Sequence, residues 1–154
     1  MAYEPLETAE ASDYPYCIQL SVFVENRLGQ LLRLTRLFER GDIVLRGVAV
    51  EASVDCAIVR LLVDRVDLAQ QILREAGFAL TETEVLVVEM PEHSRGVSAV
   101  CEALISGEIN INYIYSLLPL EGRDACVAIQ VDDMAQAAAV LRGRRMDLLD
   151  QSDL

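Results

Sequence analysis

The chain has 154 residues, 53% of them hydrophobic against 25% charged and without a Trp, which is ample material for a packed core. Thirteen Lys and Arg against 25 Asp and Glu leave a formal charge of −12, a field that opposes phosphate backbones and anionic bilayers and argues against nucleic-acid and membrane partners. No apolar run of about eighteen residues occurs, and "MAYEPLETAEASDYPY" has neither a basic start nor an apolar stretch, so no span or signal peptide is expected and the cytoplasm is the expected location.

Residues 1–16 are acidic and turn-rich and are expected to form an N-terminal arm, ordered or mobile. Beyond it, "CIQLSVFV" (17–24) reads as a strand. "GQLLRLTRLFERG" (29–41) places Leu31, Leu34, Leu37 and Phe38 at helical spacing and stops on Gly41. "IVLRGVAVEA" (43–52) and "CAIVRLLV" (56–63) are β-branched runs joined by a short turn. "VDLAQQILREAG" (66–77) is a second amphipathic helix stopped by Gly77, and "FALTE" (78–82) a short strand.

The same order returns. "VLVVEM" (85–90) is followed by a helix over 97–106 stopped by Gly107, a strand over 109–116, "ACVAIQV" (125–131), a helix over 134–141 and "MDLL" (146–149). At an offset of 66, Leu31 falls on Val97, Leu34 on Val100, Phe38 on Leu104, Gly41 on Gly107 and Ile43 on Ile109. After a longer loop, "LPLEGRD", the offset becomes 68 and pairs Val59 with Val127, Leu61 with Ile129 and Leu73 with Leu141.

The chain is therefore expected to be α+β: two ferredoxin-like βαββαβ units in tandem (17–82 and 83–154), antiparallel sheets with helices on one face. The other sheet face should be polar if water covered it, yet in "ACVAIQV" both alternate sets are apolar and in "CAIVRLLV" only Arg60 interrupts. A second covering is implied, either the sister repeat or another subunit. Units of roughly 65–70 residues are marginal alone, which also favours packing of one on the other.

Cys17, Cys56, Cys101 and Cys126 form no CxxC pair, so no zinc or redox signature exists and buried, reduced thiols are expected. Nothing calls for a metal or a cofactor.

The turn "VENRLGQLLRL" is similar to the acidic-or-Asn, x, Pro, Gly, x, Leu pattern of the ACT domains, small regulatory modules of amino-acid metabolism. "GDIVL" and "GEININYIY" resemble the run that follows the first helix in tandem members of that family. The resemblance spans about 17–150 and departs from the pattern where Leu28 and Ser94 replace the proline and Arg95 the glycine. It implies a non-catalytic module that binds a free amino acid between domains, a homodimer, and an enzyme of amino-acid metabolism regulated in trans. The ligand residues it implies are Asn26, Leu28, Gly29, Gln30 and Leu31 in the first turn and Glu92, His93, Ser94, Arg95, Gly96 and Val97 in the second.

The physical reason is that a strand passing through a glycine turn into a helix presents unpaired N–H groups where the helix dipole favours a carboxylate. Asn26 reads equally as a helix cap with Gly29 easing a turn. Arg95 reads either as a carboxylate ligand or as a neutraliser of Glu92 and Glu102. Asn110 and Asn112 are either an edge-strand polar face or donors and acceptors to a zwitterion. Tyr113 and Tyr115 share the parity of Ile109 and Ile111 and are expected to face the core rather than a ligand.

His93 has no nucleophile with a partner acid around it, so no catalytic residue is expected. An acylphosphatase-like site would need an Arg loop, a Gly-rich anion cradle and a strand Asn, and a metallochaperone a CxxC; neither is present. The competing reading is an interaction protein that kept the fold, lost the ligand and dimerises through its apolar sheet faces.

Overall fold

A computed structural model describes residues 13–90 and 95–154. The elements are β1 (Cys17–Glu25), α1 (Gln30–Arg40), β2 (Leu45–Ala52), β3 (Cys56–Val63), α2 (Val66–Glu75), β4 (Ala79–Glu89), α3 (Gly96–Ser106), β5 (Ile111–Ser116), β6 (Cys126–Val131), α4 (Met134–Gly143) and β7 (Asp147–Leu149). Two βαββαβ units follow each other, as the periodicity predicts. One difference is that "FALTE" and "VLVVEM" are not separate strands. The intervening Thr83 and Glu84 include no Gly, Pro or Asn to break an extended run, and β4 passes straight through the expected boundary between residues 82 and 83.

That fusion joins the two sheets. The strand order is β2-β3-β1-β4-β6-β5, with β7 beside β4, in one seven-stranded sheet. The first part of β4 pairs with β1 (Ala79 opposite Phe23, Val85 opposite Cys17), and its last part with β6 and β7 (Leu86 opposite Ile129, Val87 opposite Leu149). Alternation along β4 sorts the interior. Leu80 packs with the core under α1 and α2, and Leu86 and Val88 with the core under α3 and α4, so both helix pairs cover the same face.

Val85 and Val87 point to the opposite face and pack with Cys17, Leu62, Cys126, Ala128, Leu149 and Leu154. Those side chains are buried because the sheet curls until its two ends meet. Gly47 of β2 forms an antiparallel bridge with Leu117, and the Leu118 N–H donates to the Arg46 carbonyl at 2.9 Å. A Cβ at Gly47 would sit 3.5 Å from Leu117, so the edges approach closely. The implied second covering is thus the sister repeat. Sheet faces buried inside one chain are not free for dimerisation, which corrects the expectation that an interaction module would dimerise through its apolar sheet faces.

Each repeat carries a β-bulge at the same place. Leu45 faces Val63 but Gly47 faces Leu62, leaving Arg46 as the extra residue; Ile111 faces Val131 but Tyr113 faces Gln130, leaving Asn112 extra. The bulge overturns the parity argument for the tyrosines. Ile111 stays with the helix-covered core, whereas Tyr115 turns to the inner face between the repeats, with Tyr113 stacked beside it at 6.4 Å.

Across that inner face lies Gln19, fully buried on β1. Its Nε2 donates to the Tyr113 hydroxyl at 2.8 Å and to Ser21 Oγ at 3.1 Å, and its Oε1 accepts from the Tyr115 hydroxyl at 2.7 Å. Arg60 lies 4.0 Å over the Tyr113 ring and pairs with Glu51 at 2.8 Å. Of the expected N-terminal arm, residues 1–12 fall outside the described residues, while Tyr14 packs against the second core and Arg142 donates to the Asp13 carbonyl at 3.1 Å.

Candidate functional site

The turn between β1 and α1 is built by two different devices. Gly29 sits at φ +85°, in the left-handed region that favours glycine, and a Cβ there would meet nothing within 4 Å. Asn26 does not cap the helix. Its Nδ2 donates to the Ser53 carbonyl at 2.8 Å, and its own N–H to the Asp55 carbonyl at 3.3 Å, which ties the turn to the one between β2 and β3. The helix-cap alternative for Asn26 is therefore replaced by a brace between two turns.

With Asn26 so engaged, α1 has no side-chain cap. The Arg33 N–H reaches the Gly29 carbonyl at 3.0 Å and the Gln30 N–H the Arg27 carbonyl at 3.4 Å, while the N–H groups of Leu31 and Leu32 meet no acceptor among the described residues. Leu28 is fully exposed, and Leu31, Leu32 and Val54 also lie open to solvent around the same end. The result is a bare helix N-terminus with an apolar rim, which suits a small anion carrying an apolar part.

The second turn differs. Glu92, His93 and Ser94 lie outside the described residues. Arg95 precedes α3 with no side-chain cap, Val97 is exposed, and no ion pair joins Arg95 to Glu102. Gly96 is buried and has a packing role: a Cβ there would fall 2.5 Å from Met90 Cβ, so helix and strand close on each other through the missing side chain.

Asn110 and Asn112 are gathered with each other rather than with the first turn. Asn110 Nδ2 donates to Asn112 Oδ1 at 3.3 Å, and Asn112 Nδ2 to Gln130 Oε1 on the neighbouring strand. The Asn110 N–H donates to Asp132 Oδ1 at 3.1 Å, and the Val44 N–H donates to Asp64 Oδ1 at 2.8 Å in the first repeat, so this backbone contact needs no amide side chain. All of these are exposed. Among the described residues no hydrogen bond links either asparagine to the β1–α1 turn, and the geometry is that of a polar edge.

The turn at 53–55 was not singled out by sequence, although a βαββαβ order brings the β1–α1 and β2–β3 turns to one end of the sheet. Among the described residues no group of His, Cys, Asp and Glu could hold a metal ion, and no helix is long and apolar enough to cross a membrane.

The profile of the ACT domain pair matches residues 16–154. The chain belongs to the ACT domain pair family. ACT domain pairs are regulatory modules, and the tandem fold fits that membership. Among solved structures the chain is similar to protein BT0572 from Bacteroides thetaiotaomicron, with 28% identity, a TM-score of 0.82 and coverage of 91% of this chain and 96% of that one. It shares its fold with the ligand-free regulatory subunit of aspartate kinase from Thermus thermophilus (14% identity, TM-score 0.60, 86% and 92% covered). It does so too with the aspartokinase alpha and beta subunits (14% identity, TM-score 0.52, 84% and 95% covered). No curated protein matches the chain.

Proposed function

We propose that this ACT domain pair is a non-catalytic regulatory module that binds a free amino acid, with the ligand carboxylate on the uncapped N-terminus of α1. The observation that carries the reading is the pair of N–H groups at Leu31 and Leu32 that meet no acceptor among the described residues, beside a left-handed Gly29 on a helix end that no side chain caps. An oxyanion there gains the helix dipole and two donors at once. The ammonium needs acceptors from a facing surface, for which a second copy is the natural source; this supports a homodimer with ligand between protomers.

The target proposed for the module is an enzyme of amino-acid metabolism regulated in trans. The aspartate kinase subunit from Thermus thermophilus, named as regulatory, makes such a target reasonable. Four free cysteines suit the reducing cytoplasm. The second turn is the weaker site, because Arg95 stands where the first has Gly29.

Micromolar to millimolar affinity is expected for a metabolite sensor, about 4–8 kcal/mol of binding free energy. Calorimetry with a panel of free amino acids tests the reading: heat from at least one with a stoichiometry of one or two per chain is expected, and no heat from any of them would sink it. The competing reading, a ligand-free interaction module, draws support from exposed Leu28, Leu31, Leu32 and Val54, and predicts a stable dimer that no amino acid stabilises against heat.

A further inference from the structure

All thirteen basic residues of this acidic chain are arginines, and three of them share one stripe of α1. Arg33, Arg36 and Arg40 line a shallow groove with Gly29, Leu32 and Leu37. Arg33 is fixed in place: its guanidinium donates to the Ala76 carbonyl at 3.1 Å and lies 4.7 Å from the centre of the Phe78 ring. Arg36 and Arg40 are exposed one helical turn apart, where like charges repel, and neither forms an ion pair among the described residues.

The fold does not require this charge. The equivalent positions of α3 are Ala99, Glu102 and Ser106, and that helix packs on its core without any basic residue in the stripe. Beside the arginines runs an unpartnered apolar strip, Leu28 and Leu32, both exposed.

We propose that this face of α1 is a docking surface for an acidic amphipathic segment of a partner protein, whose carboxylates at helical spacing meet Arg36 and Arg40 while its apolar side chains cover Leu28 and Leu32. Charge complementarity selects the occupant. A guanidinium fork binds carboxylate in two parallel hydrogen bonds, and weak hydration lets arginine enter an interface more readily than lysine. A nucleic acid would offer anions as well, but its extended charge would meet the repulsion of a chain at −12. The proposal goes beyond amino-acid binding: the ligand would sit on backbone N–H groups at the tip of α1 and the partner along its side, with exposed Leu28 and Leu32 bordering both.

The test uses a fluorescein-labelled helical peptide of roughly fifteen residues with a glutamate stripe beside a leucine stripe, and a twin with glutamine for glutamate. Fluorescence anisotropy with the full chain should show saturable binding of the glutamate peptide that weakens with salt. Binding should fall about tenfold or more for the glutamine twin and for the Arg36→Gln/Arg40→Gln variant, whose exposed substitutions leave the circular dichroism and melting temperature unchanged. No saturable binding, equal binding of both peptides, or unchanged binding by the double variant would overturn the proposal. A wild type that sediments as a dimer while the double variant sediments as a monomer would also overturn it, because the face would then belong to a second copy.

Discussion

Gln19 and Tyr113 lie 94 positions apart in the chain, yet the amide of one donates to the hydroxyl of the other at 2.8 Å inside the seam between the two repeats. Tyr115 completes the contact by donating to the same amide. This is how two sheets with apolar inner faces obtain a fixed register: a buried polar group must find its partner, and misaligned faces would strand it.

Replacing Gln19 by Leu removes the partner of both hydroxyls at once. We expect a loss of about 1–3 kcal/mol from leaving buried polar atoms unmatched, read as a lower urea midpoint. Adding Tyr113→Phe and Tyr115→Phe to Gln19→Leu should recover part of that loss, since no polar atom is then stranded. Strict additivity of the three changes would show that the seam is not a coupled unit.

Gly96→Ala should destabilise the chain by about 1–3 kcal/mol, because the new methyl group falls 2.5 Å from Met90 Cβ and backbone must move to admit it. Gly143→Ala is the control. It lies at the end of α4 with nothing within 4 Å of the added carbon, and should be neutral or slightly stabilising. Equal melting temperatures for the two variants would contradict the close packing of α3 on β4.

Burial pushes the Cys17 thiol from 9.0 up to about 12, with Asp150, Asp153 and Cys126 adding to it, and burial chiefly raises Cys126 to about 11. The folded state thus holds protons that the unfolded chain releases. The stability tied to these thiols is complete below about pH 9 and drains away as pH rises through 11 and 12. Urea midpoints should decline above pH 9, and Cys17→Ala should flatten that decline. Cys56 is exposed, not buried as the sequence suggests, because it opens β3 at the β2–β3 turn, and below pH 9 it should react with thiol reagents long before Cys17.

Asn26→Ala cuts the brace between the β1–α1 and β2–β3 turns. Because the group is exposed, we expect only about 0.5–1 kcal/mol of destabilisation. Amide exchange should nevertheless quicken at residues 53–56, where Ser53 and Cys56 hold the turn. Unchanged exchange there would mean that the brace does not order the turn in solution.

Most of the architecture was legible in the sequence because the repeat was. Gly41 and Gly107 fall at matching helix stops, and the apolar spacing of Leu34 and Phe38 returns as Val100 and Leu104. Two features were not legible. The merger of two strands into β4 depends on the absence of a turn signal at Thr83 and Glu84, which composition leaves open; the facing of Tyr113 and Tyr115 depends on one extra residue, Asn112, that reverses every later side chain of β5.

The site was legible in outline only. Gly29, which the motif singles out, stands in the left-handed region that favours glycine. Asn26 was marked too, but its role follows from Ser53, a residue that becomes its neighbour only when β2 and β3 fold back. At the repeat offset of 66, Asn110 and Asn112 stand where the first repeat has Val44 and Arg46, so the side chains differ while the backbone contact beneath is duplicated.

The claim that an amino-acid carboxylate rests at the β1–α1 turn is tested most directly by titrating the best ligand from the panel into wild type, Gly29→Asn and Gly29→Asp side by side. Both substitutions place a similar side chain at the same left-handed position, where nothing lies within 4 Å, and only one adds a negative charge. The account predicts that the Asn variant keeps affinity within about threefold while the Asp variant loses about tenfold or more, a difference of about 1.4 kcal/mol. Equal affinity in all three proteins would contradict it.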